Sequence, residues 1–508
     1  MILPHWKNKL YFGDNLDILR EHVASESVDL IYLDPPFNSN ATYNVLFQEK
    51  SGEKSAAQIT AFEDTWHWGM ESEYAYQEVV KEGQRKLADL LQALRTFLGQ
   101  NDMMAYLVMM AQRMVELHRV LKPTGSIYLH CDPTASHYLK LLMDAVFGAR
   151  NFRNEVIWHY KFRMMYSERI FNRKHDVLLF YAKSLSSKLR MNNVVEPWTR
   201  EEIIQTRKQA IYQDEDGREW IWMPGGRGHS KNKKKYLDEI TAEGKALDDV
   251  WDIPTITSSA KERLGYPTQK PEILLERIIK ATTDEDDLVL DPFCGCGTTV
   301  VVAERLKRHW IGIDITHLAI SLMRHRLHDT FGPDLSPYEV IGDPKDLSSA
   351  RALAEENRYQ FEWWALGLVD ARPAHDKRKG ADRGVDGYIN FFDDNSGKAK
   401  TVVVQVKSGH INAAYVRDLK GVLERENAPI GILITLEEPT RPMLQEAAAG
   451  GFYEPEHFPA HQYPRLQILT IKELLEGKEA QYPRMAPPAT FKRAQRHRKS
   501  IEDQQRLV

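Results

Sequence analysis

Residues 28–37 read VDLIYLDPPF and residues 288–297 read LVLDPFCGCG, and these two stretches decide the fold. Each begins with an apolar run that predicts a buried strand, and each run is followed at once by a turn. An apolar segment with helical character begins at Thr298, after the second turn. Open parallel α/β sheets bind ligands at the carboxyl ends of their strands, so both turns are expected to line one crevice.

The glycine-rich turn gains support from the chain that follows it. Residues 310–314 read WIGID and predict the next strand of a βαβ unit, which ends in Asp314, 19 positions after Gly295 (314 − 295). An acid about 20 residues beyond such glycines is placed to bind ribose hydroxyls. Gly295 and Gly297 allow the backbone to approach a ligand closely, and Thr298 is expected to cap the helix. A nicotinamide-dependent oxidoreductase is the rival interpretation, although the third glycine of the dinucleotide fingerprint is missing.

Together, the two stretches resemble the catalytic and cofactor loops of amino-group DNA methyltransferases, which methylate N6 of adenine or N4 of cytosine. The catalytic loop comes first here, which is the order of the beta-type branch of that family. The resemblance implies an α/β fold with a Rossmann-like, S-adenosylmethionine-dependent methyltransferase sheet and a recognition insert. It also implies S-adenosylmethionine as cofactor and double-stranded DNA as partner. Members of this branch are often dimers, so a homodimer is the assembly to test, while the sequence leaves the oligomeric state open.

The tetrapeptide Asp34-Pro35-Pro36-Phe37 supplies what methylation of an exocyclic amine requires. The lone pair of such an amine is delocalised into the base, and the Asp34 carboxylate and Pro35 carbonyl are acceptors that localise it toward a methyl donor. Two consecutive prolines fix φ and remove two backbone donors, which makes a stiff loop. Phe37 offers a ring for stacking an extruded base, at about 1–3 kcal/mol per base. The alternative is a simple strand-ending turn, where Pro and Asp are common.

The resemblance assigns cofactor binding to several short segments. Asp14 and Asn15, at the end of a predicted N-terminal strand, approach the adenine half of the cofactor. The segment Thr268-Gln269-Lys270-Pro271 leads into a helix and helps to hold the methionine part, although a solvated lysine before a helix is the alternative for Lys270. The complete set of expected cofactor residues is Asp14, Asn15, Thr268, Lys270, Asp291, Phe293, Gly295, Gly297, Thr298 and Asp314.

Two further strands and an irregular region lie between the two loops. Residues 154–160 and 174–181 resemble strands that complete the base pocket, where Trp158 or Tyr160 flanks the flipped base unless both are simply core. Residues 184–263 are polar, irregular and poor in core periodicity, and they include lysines at 231 and 233–235. In the family this is the target-recognition region, whose basic residues track phosphates. An ordinary solvated charge run is the alternative.

Composition limits the possible classes of protein without identifying one. The 508 residues predict two or three domains. The net charge of −4 means that DNA binding has to come from local patches. The three cysteines have neither a disulfide framework nor zinc-ligand spacing, which favours a reducing, cytoplasmic location. The DNA partner that the resemblance implies makes this location nucleoid-associated. We expect no signal peptide, no membrane-spanning run and no membrane partner.

A second resemblance covers the C-terminal part of the chain. The sheet of a methyltransferase is expected to be complete by the helix at 316–327, and a helix-like stretch follows at 347–366. Residues 384–391 and 402–407 then predict a hairpin, followed by a helix at 416–425 and a strand at 430–435. This pattern resembles the catalytic core of Mrr-type restriction endonucleases, a branch of the PD-(D/E)xK fold, with Glu362 at an upstream acidic position of that branch.

The second resemblance implies a metal-dependent phosphodiesterase site. Asp386 and the Gln405 side-chain oxygen would hold Mg²⁺, and Lys407 would orient or activate the attacking water. The usual pattern has a carboxylate where Gln405 stands, so one negative charge is missing and metal binding is expected to be weaker. An inactive nuclease-like module that only binds DNA or protein is the alternative.

The sequence thus predicts a site-specific DNA methyltransferase, preferentially of adenine N6, because Asp is more typical of the adenine enzymes and Ser of the cytosine enzymes at the first motif position. Three alternatives stay open: N4-cytosine specificity, a single-chain restriction–modification enzyme whose main activity is cleavage, and a methylase of RNA or protein. The expected organisation is a catalytic half (1–183), a target-recognition insert (184–263), a cofactor-binding half (264–335), an Mrr-like nuclease-fold domain (343–480) and a basic, disordered tail (481–508).

Overall fold

The structure, a computed structural model, describes most of the chain. The described residues are 6–36, 67–160, 171–185, 191–192, 194–208, 210–223, 232–257, 259–266, 268–374, 384–393, 399–455, 461–484 and 494. Among them, no helix is long and apolar enough to cross a membrane. Phe37, Lys231 and nearly all of the basic C-terminal tail lie outside the described residues.

The N-terminal part alternates strands and helices and ends in a hairpin. Its elements are β1 (Asn8–Phe12), α1 (Asn15–His22), β2 (Val28–Leu33), α2 (Met70–Glu82), α3 (Arg85–Leu98), α4 (Asp102–Val120), β3 (Leu121–Cys131), α5 (Ser136–Met143), β4 (Phe152–His159) and β5 (His175–Ala182). Short π-helical (Asp144–Gly148) and 3₁₀ (Ala149–Asn151) turns connect α5 to β4.

The segment after β5 holds short elements of its own before the chain returns to the main sheet. They are β6 (Val195–Glu196), α6 (Arg200–Arg207), β7 (Tyr212–Gln213), β8 (Glu219–Met223), β9 (Lys233–Tyr236), α7 (Leu237–Glu243), β10 (Lys245–Ala246) and β11 (Val250–Asp252). The region predicted to be irregular therefore contains an antiparallel sheet in the order β7-β8-β9. Ile203, Ile221, Leu237 and Ile240 form a small core beneath it.

The remaining elements of the first domain follow in alternation. They are α8 (Glu272–Thr282), β12 (Leu288–Asp291), α9 (Thr298–Arg305), β13 (His309–Asp314), α10 (His317–Phe331), a 3₁₀ turn (Gly332–Asp334) and β14 (Tyr338–Ile341). The predicted strands at 288–290 and 310–314 and the predicted helix after Lys270 are all present.

Nine strands form one sheet in the order β11-β4-β5-β3-β2-β12-β13-β1-β14. Strand β5 runs antiparallel to both of its neighbours, whereas the pairs from β3 to β14 are parallel. Strands β2 and β12 are direct neighbours, with Leu30 opposite Val289 and Ile31 opposite Leu290. The loops at 34–37 and 291–297 therefore follow adjacent parallel strands, β2 and β12, at the same edge of the sheet. The predicted α/β fold is confirmed.

Continuous apolar strands arise here because the sheet is covered on both faces. Along β2, Ile31 and Leu33 pack in the layer of α1–α5, whereas Leu30 and Tyr32 pack with α8–α10. This alternation follows the two-residue period of a strand. Burial on both sides fixes the register of β2, because a one-residue slip would exchange its two faces.

The sheet extends further than predicted. We expected it to be complete by the helix at 316–327, but β14 pairs in parallel with β1, placing Tyr338 opposite Asn8 and Ile341 opposite Tyr11. Strand β14 is short and only partly buried, so it lacks the continuous apolar run that marks the inner strands. Its pairing partner lies more than 300 residues away in the sequence.

The C-terminal domain is a smaller α/β unit. It comprises α11 (Leu347–Glu356), α12 (Arg358–Leu368), β15 (Arg372–Pro373), β16 (Gly387–Phe391), β17 (Lys400–Lys407), α13 (Ala413–Arg425), β18 (Ile430–Thr435), α14 (Arg441–Ala448), β19 (Phe452–Tyr453), β20 (Tyr463–Pro464), β21 (Leu466–Thr470) and α15 (Ile471–Leu475). Its main sheet has the order β15-β16-β17-β18-β21. The predicted hairpin is present as antiparallel β16 and β17.

The predicted helix-like stretch at 347–366 is two helices rather than one. Asn357 ends α11 and also caps α12, because its side chain accepts hydrogen bonds from the backbone N–H groups of Tyr359 and Gln360, both at 3.1 Å. Asparagine is among the preferred N-cap residues. The break turns α12 so that Phe361 and Trp364 enter the core of the C-terminal domain.

Candidate functional site

Asp34 lies directly after β2, at the edge of the sheet where the parallel strands end. Its Oδ2 atom forms an ion pair with the Nζ atom of Lys270, which reaches in from the segment before α8. Its Oδ1 atom lies 3.8 Å from Nδ1 of His130. The side chains of Asp34 and Lys270 are only 15% and 12% exposed. Lys270 is therefore a buried partner of Asp34 and not a solvated lysine.

A chain of buried polar groups lies behind Asp34. The Tyr32 hydroxyl and Nδ1 of His130 are 2.9 Å apart, and Nε2 of His130 lies 3.3 Å from Oδ2 of Asp176. The Tyr160 hydroxyl donates to Oδ1 of Asp176 at 3.3 Å. Burial is the largest single influence on Asp176 and opposes its ionisation, but the hydrogen bonds and charges of His130, Lys270 and Tyr160 together outweigh it and hold the pKa of Asp176 below its usual value. His130 lies on β3 and Asp176 lies on β5. Neither residue was predicted from the sequence.

The two aromatic residues proposed for the base pocket have different environments. Trp158 is buried, and its Nε1 atom donates to the Ile253 carbonyl oxygen at 2.8 Å. It therefore belongs to the core beneath β11. Tyr160 is half-buried, and burial followed by its contact with Asp176 raises the pKa of its hydroxyl to about 12. Tyr160 stays a donor at neutral pH.

The glycine turn between β12 and α9 is shaped by its two glycines. Gly297 has φ of +74°, and a Cβ atom there would lie 2.5 Å from Cγ of Met323. Gly295 has φ of +51°. Side chains other than glycine rarely adopt this left-handed conformation. The N-cap of α9 is Gly297, so the predicted cap at Thr298 is wrong. Thr298 is the first helical residue, and its hydroxyl accepts a hydrogen bond from Nη1 of Arg326 at 3.1 Å.

Two buried acids frame this turn. Asp314 Oδ2 accepts from the Gly295 backbone N–H at 2.9 Å, and Asp314 Oδ1 accepts from both the backbone N–H and the hydroxyl of Thr316 at 2.9 Å. Asp291 Oδ1 accepts from the Phe293 backbone N–H at 3.0 Å. Burial raises the pKa of Asp291 to about 7 and that of Asp314 to about 6. The turn therefore carries negative charge that strengthens near neutral pH.

Arg113 of α4 ties the N-terminal segment to this site. Its Nη2 atom donates to both oxygens of Asp14, at 2.8 and 2.9 Å, and its Nε atom donates to Oδ1 of Asn15 at 2.6 Å. Asn15 in turn donates to the Pro292 carbonyl oxygen at 2.8 Å. Arg113 is buried in an otherwise apolar helix face. That isolated charge was the sequence signal that could have identified it, because buried arginines are normally paired.

One pocket collects these groups. It is bordered by the end of β2, the glycine turn, the start of α1, the end of β13 and the segment before α8. Of the predicted cofactor and catalytic residues, Asp14, Asn15, Asp34, Pro35, Pro36, Thr268, Lys270, Asp291, Phe293, Gly295, Thr298 and Asp314 line it. Gly297 lies beneath the turn as the cap of α9. Phe37 falls outside the described residues.

Comparison with known families identifies the fold that carries this pocket. A family model described as DNA methylase, of the N6/N4 type, matches residues 28–324, which is more than half of the chain. The chain belongs to the N6/N4 DNA methylase family. The resemblance drawn from the two loops is thereby confirmed, as is S-adenosylmethionine as the methyl donor of the family.

The relatives that match over long stretches of this methylase have low sequence identity to it. The type III restriction–modification enzyme StyLTI Mod subunit of Salmonella typhimurium is 25% identical over 346 residues, covering 58% of this chain and 49% of the relative. The type II methyltransferase M.HpaI of Haemophilus parainfluenzae is 28% identical over 268 residues, covering 53% and 74%. The chain thus spans about half the length of the first relative. The solved PvuII DNA methyltransferase (cytosine-N4-specific) has a TM-score of 0.35 and 15% identity, covering 62% of this chain and 85% of its own.

The C-terminal domain of the methylase matches a second family model. Residues 360–476 are similar to a family described as NACHT-associated inactive restriction endonuclease 1. Here Asp386 Oδ2 accepts from the Val406 backbone N–H at 2.7 Å and lies 3.6 Å from Nζ of Lys407. Gln405 donates to the Gly384 carbonyl oxygen, while its Oε1 atom is buried without a hydrogen-bond partner in the described part of the chain. The three predicted nuclease residues therefore lie together.

The site around Asp386, Gln405 and Lys407 offers few groups that can bind a metal ion. Across the described ranges, no group of three or more His, Cys, Asp and Glu side chains is arranged to hold a metal ion. Asp386 is the carboxylate next to Lys407, and Gln405 supplies an amide oxygen in place of a second carboxylate. Glu362 lies buried on α12. An Mg²⁺ ion prefers oxygen ligands and usually keeps several waters, so Asp386 and Gln405 fit one in donor type but offer it a single negative charge.

Proposed function

We propose that this methylase transfers a methyl group from S-adenosylmethionine to the exocyclic amine of a base flipped out of duplex DNA, preferentially N6 of adenine. The observation that carries the proposal is the shared pocket: Asp34 and Pro35 lie at its rim beside the glycine turn and Asp314. Acceptors for the amine and the cofactor-binding turn thus leave adjacent strands, β2 and β12. The preference for adenine rests on the aspartate at position 34.

The lining of the pocket is suited to a cationic sulfonium ligand with ribose hydroxyls and a zwitterionic end. Asp291 and Asp314 supply negative charge, and Oδ2 of Asp314, which accepts a single hydrogen bond from Gly295, keeps lone-pair capacity for a ribose hydroxyl. Arg113 and Lys270 are the cations that line the pocket, and each of them is also paired with an aspartate of the lining, Asp14 and Asp34. We propose that Asp314 binds the ribose, that Asp14 and Asn15 face the adenine, and that Thr268 and Lys270 face the methionine part.

Bound S-adenosylmethionine supplies an electrophilic methyl group, and the residues of the chain prepare the amine for it. Lys270 engages Oδ2 of Asp34, which leaves Oδ1 and the Pro35 carbonyl oxygen as acceptors for the two amine hydrogens. Hydrogen bonding to these acceptors localises the nitrogen lone pair. Transfer produces a cationic nitrogen that must lose one proton, and Asp34 Oδ1, held 3.8 Å from His130, is the acceptor in contact with it. No covalent enzyme intermediate is required.

We further propose that the insert between β5 and β11 contacts the DNA target. Its small sheet presents Tyr212 stacked on Trp220, with ring centroids 4.6 Å apart, and an exposed Trp222. The predicted phosphate-tracking lysines need revision, because Lys234 and Lys235 pair with Asp214 and Glu243 inside the insert. Aromatic stacking and shape therefore carry more of the proposed contact than these two charges do.

The proposal is tested by following the transferred methyl group. The full chain is incubated with methyl-labelled S-adenosylmethionine and unmethylated duplex DNA, structured RNA or a mixed protein substrate, and the labelled product is digested and identified by mass spectrometry. We expect N6-methyladenine from the DNA. N4-methylcytosine instead would refute the adenine preference alone, whereas label only in RNA or protein would refute the DNA proposal. Equilibrium binding of S-adenosylmethionine, compared with that of NAD, distinguishes the methyltransferase proposal from the oxidoreductase alternative.

A second proposed activity is Mg²⁺-dependent DNA cleavage by the C-terminal domain. The observation in its favour is the grouping of Asp386, Gln405 and Lys407, with the buried Gln405 Oε1 atom available as an oxygen ligand. The amide in place of a carboxylate and the similarity to a family described as inactive weigh toward a binding module. Either way, the site is expected to bind metal weakly because it offers one carboxylate.

The cleavage proposal predicts nicking of unmodified DNA by the wild-type chain at millimolar Mg²⁺, with loss of nicking in Asp386→Ala. Supercoiled plasmid lacking the modification is the substrate, and the conversion to open circles is measured on gels with and without EDTA. Glu355→Ala, an exposed acid on α11, serves as the control variant. Absence of nicking by the wild type at every Mg²⁺ concentration would leave the domain as a binding module.

A further inference from the structure

Helix α12 of the C-terminal domain packs on α10 of the methyltransferase domain, next to the proposed cofactor pocket. One side chain, Gln360, crosses between them and contacts two backbone groups. Its Oε1 atom accepts a hydrogen bond from the His317 backbone N–H at 3.1 Å, and its Nε2 atom donates to the Ile315 carbonyl oxygen at 3.4 Å. The contacted groups lie on either side of Thr316.

The first of these hydrogen bonds satisfies a backbone N–H group at the start of α10. His317 is the first residue of that helix, and the first backbone N–H groups of any helix have no partner inside the helix. The Thr316 hydroxyl caps the helix by accepting from the Ala319 N–H at 3.2 Å. The His317 N–H is satisfied by the side chain from α12. The N-terminus of α10 is therefore completed by the other domain.

The turn held by Gln360 is part of the pocket wall. Ile315 and Thr316 both line the pocket. Thr316 donates twice to Oδ1 of Asp314, and Oδ2 of Asp314 accepts from the Gly295 N–H of the glycine turn. A continuous series of hydrogen bonds thus runs from Gln360 through the turn at 315–317 to Asp314 and the glycine loop.

Three further contacts fix Gln360 and the seating of α12. Asn357 accepts from the Gln360 backbone N–H, which anchors the start of the helix. Gly367 permits close approach of the two helices, because a Cβ atom there would lie 3.2 Å from Oγ of Ser321. Nε2 of His325 lies 3.4 Å from Oδ1 of Asp370 at the other end of the contact. The contact spans the length of α12.

We propose that the C-terminal domain completes the cofactor site, with Gln360 as a positioning residue that holds the turn at 315–317 for S-adenosylmethionine. Occupation of the pocket and docking of α12 on α10 are then energetically coupled, and by linkage each stabilises the other. A domain with a nuclease-like fold thereby senses whether the methyl donor is bound, whether or not it cuts DNA. This inference rests on the proposed function of the pocket.

The test measures S-adenosylmethionine affinity by calorimetry in the full chain. Loss of the Gln360 hydrogen bonds in Gln360→Ala is expected to raise Kd about three- to tenfold, with little change in kcat at saturating cofactor. Gln360→Glu keeps an acceptor for the His317 N–H but loses the donor to the Ile315 carbonyl oxygen, so its Kd is expected to lie between those of the wild type and Gln360→Ala. Gly367→Leu places a larger side chain against Ser321 and forces α12 away from α10. This variant is expected to weaken the affinity for S-adenosylmethionine although residue 360 is still glutamine. Arg358→Ala, on the exposed side of the same helix, is the control.

A second readout reports coupling directly. In hydrogen exchange, S-adenosylmethionine is expected to slow exchange of the α12 amides in the wild type, and this protection is lost in Gln360→Ala. Unchanged affinity and unchanged protection of α12 in Gln360→Ala would overturn the coupling while leaving the pocket assignment intact. A wild-type chain that binds no S-adenosylmethionine would instead overturn the proposed function, and the coupling with it.

Discussion

Asp34→Ala is expected to lower the rate of methyl transfer by about 10³-fold or more while S-adenosylmethionine still binds. Removal of a single preorganised group at the reacting centre commonly costs about 10²–10³ in kcat, and Asp34 is proposed both to orient the amine and to accept its proton. The cofactor contacts proposed for Asp291 and Asp314 do not involve Asp34, and Lys270 loses its Asp34 partner but keeps the charge proposed to face the methionine part. The measurement pairs single-turnover transfer of labelled methyl groups to DNA with calorimetric binding of the cofactor.

Two companion variants sharpen this prediction. Asp34→Asn keeps one acceptor oxygen but loses the charge that pairs with Lys270, so we expect a rate between those of the wild type and Asp34→Ala. Asp89→Ala removes an exposed carboxylate on α3 that is 70% exposed and is expected to have no effect. Near-normal transfer by Asp34→Ala would refute the assigned role. Loss of cofactor binding together with transfer would instead place Asp34 in the cofactor site.

Asp291→Asn is expected to stabilise the protein without cofactor at pH 8 and to weaken S-adenosylmethionine binding. Burial raises the pKa of Asp291 from its usual 3.8 to about 7, so ionising it in the folded state costs about 4 kcal/mol more than in the unfolded chain. The folded state binds more protons than the unfolded state between these two pKa values. Stability from this group therefore falls as pH rises from about 4 to about 7, and stays lower above that range.

The thermal consequence of the substitution depends on pH in a defined direction. At pH 8 the Tm of Asp291→Asn is expected to exceed that of the wild type by roughly 5–10 °C, and the difference shrinks as pH falls toward 5. Glu285→Gln, at an exposed acid just before β12, is the control and is expected to show no such trend. A variant less stable than the wild type at pH 8 would mean that the ionised carboxylate is favourable in the fold.

The ionisation of Asp291 is also expected to change the affinity of the pocket for S-adenosylmethionine. S-adenosylmethionine carries a sulfonium charge, so affinity for it should rise between about pH 5.5 and 7.5 as Asp314 and Asp291 ionise in the wild type. In Asp291→Asn the rise is expected to be shallower, with Asp314 as the remaining titrating acid of the pair. Calorimetry across this pH range, in buffers of different ionisation enthalpy, also reports the protons released on binding.

The parts of the fold that could be predicted are those that depend on local patterns in the sequence. The continuous apolar runs before Asp34 and Asp291 marked buried strands because both faces of the sheet are covered. The spacing from Gly295 to Asp314 marked a βαβ unit because the helix length between them is constrained. These signals depend only on neighbours in the chain. They identified these strands and their turns, and together with the family resemblance they identified 12 of the 25 residues that line the pocket.

The parts that escaped prediction depend on contacts between distant segments. Arg113 pairs with Asp14 across 99 residues, and His130 meets Asp176 across 46. Neither spacing has a period that a helix or strand imposes. Strand β14 is recognisable only once β1 is available to pair with it. Thr298 looked like a helix cap because threonine favours that position, but the left-handed conformation of Gly297 moved the cap by one residue.

The insert was predicted to be irregular for a related reason. Its core residues Ile203, Ile221, Leu237 and Ile240 are spread over four separate elements, so no window of the sequence contains an apolar period. The lysines at 233–235 formed an apparent basic run. In the fold they lie on β9, and two of them are neutralised by acids of the insert, so linear charge overstated the basic patch.

The placement of the insert has a consequence for how such a protein diversifies. The chain leaves the main sheet after β5 and returns as β11, which pairs with β4 at the outer edge. Both attachment points therefore lie on one side of the molecule, away from the β2–β12 pair in the centre. We therefore expect the insert to tolerate changes of length or sequence, or its replacement, while the central strands keep their arrangement. Given the proposed contact between the insert and DNA, such changes are expected to alter the target sequence and to leave the reaction the same.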